Sequence, residues 1–126
     1  MEKQTATEIF ESLSSGTRLD IYRLLVRQGL EGMVAGQIAS TLDVPANSAS
    51  FHLKGMVHAR LLSVQQEGRF QRYRANLPLM LELIAYLTEE CCAGHPEQCA
   101  DLRPATLCAP AISITRSAPT PKESNQ

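Results

Sequence analysis

The sequence lacks any run approaching the roughly 18 uninterrupted apolar residues of a membrane span, and its opening, MEKQTATEIFESL, lacks the apolar stretch of a signal peptide. Together these absences predict a cytoplasmic protein. Cysteine is missing from the first ninety residues, and all four, Cys91, Cys92, Cys99 and Cys108, fall in the last third. A disulfide framework through the core is thereby excluded. In a reducing compartment such a cluster points instead to metal binding or thiol reactivity. The adjacent Cys91 and Cys92 would close only a strained ring, so they are poor disulfide partners. No internal repeat, Cys-x-x-Cys motif or phosphate-cradling loop is present, which leaves a thiol enzyme or metallochaperone without support.

Net charge is almost absent as well, at −1. The total conceals an uneven distribution. Residues 1–44 and 76–126 each carry more Asp and Glu than Lys and Arg, whereas residues 45–75 hold Lys54, Arg60, Arg69, Arg72 and Arg74 against Glu67 alone. A polyanion responds to local potential more than to the sum over a chain, so this basic island keeps a nucleic-acid partner open.

What is present is material for one domain: 126 residues with 44% apolar content can fill a core. In TATEIFESLS, Ile9, Phe10 and Leu13 have helical spacing. Thr17 can cap a second helix running to Gly29, with Leu19, Ile21, Tyr22, Leu24, Leu25 and Val26 on more than one face. VAGQIASTLDV repeats Val34, Ile38 and Leu42 on one helical face. A break at Pro45 then leads to a helix whose inward stripe is Ala49, Leu53, Met56 and Val57. Two short helices so joined form a helix-turn-helix. LLSVQQEGRFQRYRA reads as two strands turning at Glu67-Gly68, with Leu62 and Val64 on one side and Phe70 and Tyr73 on the other. Residues 77–92 form a last helix that is apolar nearly all round, which predicts burial against a second copy of the chain. Beyond Ala93 the chain turns to Pro, Ala, Ser and Thr, and the end, SAPTPKESNQ, is expected to lack order. The expected fold is mainly α with a β-hairpin wing, a homodimeric winged helix-turn-helix over 1–92, followed by a cysteine-containing extension over 93–126.

From SFHLKGM through EGRFQRYR the sequence resembles the ArsR/SmtB family of metal-responsive bacterial repressors. SGTRLDIYRLL resembles that family's opening helix, SASFHLKGM its recognition helix and EGRFQRYR its wing, over about residues 6 to 92. The resemblance implies a dimer held by the first and last helices, which presents two recognition helices to successive major grooves of operator DNA. The candidate DNA contacts are Asn47, Ser48, Ser50, His52 and Lys54 on the polar side of the recognition helix, with Arg69 and Arg72 on the wing. Short amide and hydroxyl side chains can reach base edges and phosphates. A lone His beside Leu53 could simply fill a core gap or cap a hydrogen bond, but within SFHLK the DNA-facing role of His52 is the expected one; Arg74 could equally be structural.

In one respect the chain departs from the resemblance. The Cys-Val-Cys inducer motif of many arsenic repressors is replaced here by Val34, Ala35 and Gly36. A subset of the family instead resembles this chain's end, with a vicinal Cys pair closing the dimerisation helix and a third Cys a few residues later. Trivalent arsenic and antimony favour three thiolates. From Cys92 the chain can reach roughly 23 Å at Cys99, ample for a turn back to the pair. As(III) or Sb(III) held by Cys91, Cys92 and Cys99 is therefore the expected inducer. A thiol redox switch on the same residues, or a Zn/Cd site completed by His95, remains open. Cys108 is expected to stand apart.

Overall fold

One side of each helix contributes to a single core. In the computed structural model, which describes residues 1–89, the order is α1 (Lys3–Leu13), α2 (Gly16–Gln28), a 3₁₀ turn (Gly29–Glu31), β1 (Met33–Val34), α3 (Ala35–Leu42), α4 (Ala46–His58), β2 (Leu62–Glu67), β3 (Phe70–Ala75) and α5 (Leu77–Leu87). Ile9 from α1, Ile21 and Leu25 from α2, Ile38 from α3, and Leu53 and Met56 from α4 are fully enclosed, and Leu83 of α5 packs on the same cluster. The expected architecture, mainly helical with a β-hairpin, is the one observed.

Chain breaks are set by local chemistry. Ser15, rather than the expected Thr17, caps α2, its hydroxyl accepting from the Arg18 N–H at 3.3 Å; Thr17 already lies inside the helix. Residues 43–45 join α3 to α4. Asp43 adopts a left-handed φ of 55°, and the Val44 N–H donates to the Ala39 carbonyl at 2.9 Å, which satisfies the end of α3. Pro45 takes the N-cap position of α4. Asn76 knits the last junction: its Nδ2 donates to the Arg60 carbonyl at 2.8 Å while its Oδ1 accepts from Leu79 N–H at the start of α5.

The antiparallel sheet has the order β1-β3-β2. Val34, expected to open the stripe of α3, instead pairs with Arg72 in β1. A two-residue strand is too short to display a period. Gly32 makes this strand possible: its φ is 63°, and a Cβ there would collide with the Tyr73 carbonyl oxygen and lie 2.7 Å from Arg74 Cγ.

The hairpin requires a second correction. Val64 faces Tyr73 across the ladder and Leu62 faces Ala75, so Tyr73 shares the face of Leu62 and Val64 rather than opposing it. Tyr73 is buried, whereas Phe70 is 62% exposed. Residues three apart on a strand cannot share a face, so grouping Phe70 with Tyr73 was incompatible with the pleat. α5 ends at Leu87, with Thr88 and Glu89 in a turn, earlier than the expected helix over 77–92. Among the described residues no helix is long and apolar enough to cross a membrane.

Candidate functional site

The two faces of α4 have opposite character. Ala49, Leu53 and Met56 face the core, which at 100° per residue turns Asn47, Ser50, Phe51, Lys54 and His58 outward, and all five are exposed. Three of the expected contacts, Asn47, Ser50 and Lys54, thus share one open face. Ser48 and His52 lie on the flank and are half-buried. Asn47 Oδ1 accepts from the Ser48 N–H at 2.9 Å, occupying one of the amides left over at the helix start.

His52 is held from behind. Its Nδ1 accepts from Arg18 Nε at 3.1 Å, which leaves Nε2 as the ring nitrogen able to donate. The Arg18 guanidinium reaches across from α2 and lies where a Cβ on Gly55 would come within 3.0 Å of Nη2. The sequence reading did not include Arg18 or Phe51 in the site. Arg18 gives no local signal, since its partner is 34 residues away. Phe51 could have been found by completing the helical wheel.

The wing is stiffened on both faces. On one, Tyr73 OH donates to Gln71 Oε1, Gln71 Nε2 to Gln66 Oε1, and Gln66 Nε2 to the Gly68 carbonyl, a relay reaching the tip at 3.0, 3.2 and 2.7 Å. Burial raises the Tyr73 pKa, so its phenol remains a donor. On the other face, Arg72 Nε binds both Glu67 carboxylate oxygens at 3.0 Å. Arg72 Nη1 donates to the Glu31 carbonyl, and Arg74 bonds to the Leu30 carbonyl and to Gln65 Oε1. Both arginines therefore brace the wing against the 3₁₀ turn. Arg69, at the Gly68-Arg69 tip, is exposed and makes no side-chain hydrogen bond or ion pair with another described residue. Gly68, with φ 60° at the first central position of the two-residue loop, has the signature of a type II′ turn.

The expected thiol site, Cys91, Cys92 and Cys99, lies outside the described residues, as do His95 and Cys108. Among the described residues no group of three or more His, Cys, Asp or Glu side chains is gathered to hold a metal ion.

Against known proteins, residues 13–65 match the family profile described as a helix-turn-helix domain. No curated protein matches the chain. An ArsR-like transcriptional regulator from Rhodococcus sp. RHA1 is similar at 24% identity, covering 82% of this chain and 93% of that one with a TM-score of 0.61. The homodimeric winged helix-turn-helix DNA-binding domain of a Mycobacterium bovis protein is similar at 24% identity, covering 69% and 81% with a TM-score of 0.55. NolR from Sinorhizobium fredii, at 20% identity, covers 68% and 83% with a TM-score of 0.55. At such identities the likeness concerns the fold, and the fold is a winged helix-turn-helix, α3 and α4 forming its helix pair and the β2–β3 hairpin its wing.

Proposed function

We propose that this chain is a DNA-binding transcriptional repressor of the ArsR type, acting in the cytoplasm as a homodimer and not as an enzyme, and that it releases its operator when As(III) or Sb(III) binds Cys91, Cys92 and Cys99. The observation that carries the DNA-binding part is the outward face of α4. Asn47, Ser50 and Lys54 stand exposed on a rigid helix whose other side is locked into the core. A wing ending in the uncommitted cation Arg69 stands in the same domain. Amide and hydroxyl groups suit base edges and phosphates, and the cations suit the backbone. Further support comes from the matched helix-turn-helix profile and from the DNA-binding domain in M. bovis.

Dimerisation is supported by α5, where Leu77, Leu81, Ile84 and Leu87 are all exposed, and by the homodimeric state of that same similar domain. Leucines repeated along one helix are stable in water when a second surface covers them. The support for metalloid sensing is chemical: three thiols within nine residues, just past α5, match the three-thiolate preference of a soft trivalent centre. Binding there would favour a dimer geometry in which the recognition helices no longer match the groove spacing. A coupling of about 3 kcal/mol weakens operator binding roughly 150-fold.

The test is a fluorescence-anisotropy titration of the full chain on DNA selected from a random duplex pool, with arsenite, antimonite, zinc, cadmium and peroxide added in separate arms. The proposal expects release by arsenite or antimonite, and loss of that response when all three cysteines are replaced by serine. Release by peroxide alone would assign the thiols to redox sensing, and DNA binding indifferent to every addition would overturn the sensing assignment.

A further inference from the structure

Phe51 is out of character with its surroundings. It is 67% exposed on the outward face of α4, between Asn47 and Lys54. A phenyl ring left in water forgoes the favourable transfer of its apolar area. The ring is nevertheless braced. The His52 ring meets it edge-on, at 5.7 Å between centroids and 65° between planes, and the Arg18 guanidinium carbon stands 5.7 Å from its centroid. The Arg18–His52 hydrogen bond ties these two supports to each other. Both contacts are of the favourable aromatic kinds, T-shaped and cation–π.

A braced aromatic ring ringed by amide, hydroxyl and ammonium groups suits a surface that is polar throughout except for a small apolar projection. A protein partner would require a wider apolar patch, and here the neighbours Asn47, Ser50 and Lys54 are polar. The floor of the DNA major groove has that composition, with hydrogen-bonding base edges interrupted by the C5-methyl of thymine, for which phenylalanine is a suitable contact. We propose that Phe51 reads a thymine methyl group in each half-site, with Arg18 and His52 as positioning residues that fix the ring. The inference rests on the reading of α4 as a DNA-facing helix and adds the source of part of its sequence preference.

Deoxyuridine differs from thymidine only by that methyl, which makes the contact separable from every other. On a duplex selected by the full chain from a random pool, each thymine in turn is replaced by deoxyuridine, and the dissociation constant is measured at fixed salt. For the natural chain, one thymine per half-site is expected to lose about fourfold in affinity, the worth of one buried methyl. In Phe51→Ala the same replacement is expected to have no effect, and in Phe51→Leu a partial one. Arg18→Gln is expected to lower the thymine-to-uracil ratio at that position, a readout that a purely structural role would leave unchanged. Because Phe51 is exposed, its truncation leaves the core intact, which circular dichroism checks. If the natural chain is indifferent to uracil at every position, or if Phe51→Ala keeps the full ratio, the inference is overturned while DNA binding stands. If no duplex is selected at all, the DNA-binding reading falls and this inference falls with it.

Discussion

Helices α4 and α5 are alike on one side and opposite on the other. Both set apolar residues into the common core, Leu53 and Met56 from α4 and Leu83 from α5. Outward, α4 shows amide, hydroxyl and ammonium groups with one braced phenyl ring, whereas α5 shows leucines at 77, 81 and 87. Buried sides secure the fold and say little about use. The outward sides differ as the two proposed uses require, a polar face suited to a nucleic-acid groove and an apolar face suited to a second copy of the chain.

The common inner side is the place where both functions can be lost at once. Leu53 is fully enclosed, and Leu53→Ala is expected to lower stability by about 2 to 5 kcal/mol through lost burial and a cavity, read as a fall in the urea midpoint. A loss below 1 kcal/mol would mean that α4 is not anchored as described. The outer sides should instead come apart. Leu81→Glu places a charge on the apolar face and is expected to shift the chain from dimer to monomer in analytical ultracentrifugation, with helix content retained and DNA affinity reduced about a hundredfold or more, since a dimer's second half-site is lost. An unchanged sedimentation coefficient would show that α5 is not the dimer face.

A polar exception on the buried side adds a pH test. Tyr22 of α2 is buried, its hydroxyl has no hydrogen-bond partner among the described residues, and burial pushes its pKa up to about 12. In the unfolded chain a tyrosine titrates near 10, so the unfolded state loses its proton first. Stability is therefore intact below about pH 10 and declines as pH rises from 10 to 12, by about 2 to 3 kcal/mol at most. Tyr22→Phe is expected to flatten most of that decline, leaving the smaller part due to Tyr73, and to keep or raise stability at pH 7 by removing an unpaired hydroxyl. Urea titrations at pH 7 and 11 give the comparison. An equally steep alkaline loss in the variant would assign it elsewhere.

On the polar side, Lys54→Ala is expected to weaken DNA binding about equally across sequences and to reduce the slope of log K against log salt by about 1, as for the loss of one phosphate contact. Its oligomeric state should be that of the natural chain. Taken with Leu81→Glu, this makes the comparison falsifiable from both directions.

The sequence made some of this legible and hid the rest for identifiable reasons. Long periodic segments were readable: the inward stripe of α4 through Ala49, Leu53 and Met56 lies as the 3.6-residue period predicts, and Glu67-Gly68 marked the hairpin. Asn47, Ser50 and Lys54 were placed on the open face by the same period. Contacts between residues far apart in the chain were not readable. Arg18 beneath His52, and Arg72 and Arg74 on the carbonyls of the 3₁₀ turn, depend on tertiary approach. Of Arg69 and Arg72, both expected to meet DNA, the fold leaves Arg69 uncommitted and ties Arg72 to Glu67 and the Glu31 carbonyl, while Arg74, which could equally be structural in sequence, is held by the Leu30 carbonyl and Gln65. The capping of α2 by Ser15 instead of Thr17 reflects a helix start that shifts by two residues when several hydroxyls compete.

The exit from α4 is less relaxed than its entry, and this yields the smallest of the expected effects. After Ala59, Arg60 adopts a φ of 66°, and its N–H and that of Leu61 close back on the Val57 and Met56 carbonyls at 2.9 Å. A side chain with a Cβ loses about 1 to 2 kcal/mol in that left-handed region, while glycine avoids the clash but makes the unfolded chain looser by about 0.4 to 1 kcal/mol. Arg60→Gly is thus expected to stabilise by about 0.5 to 1 kcal/mol, the balance of those two effects. Asp43, at φ 55° before α4, is of a residue type that tolerates this conformation better, so Asp43→Gly should gain less. Thermal midpoints of the two variants measured side by side decide the matter: an equal gain would show that residue type has no bearing here, and a loss at Arg60 would mean that its side chain holds the α4–β2 junction by contacts worth more than the strain relieved.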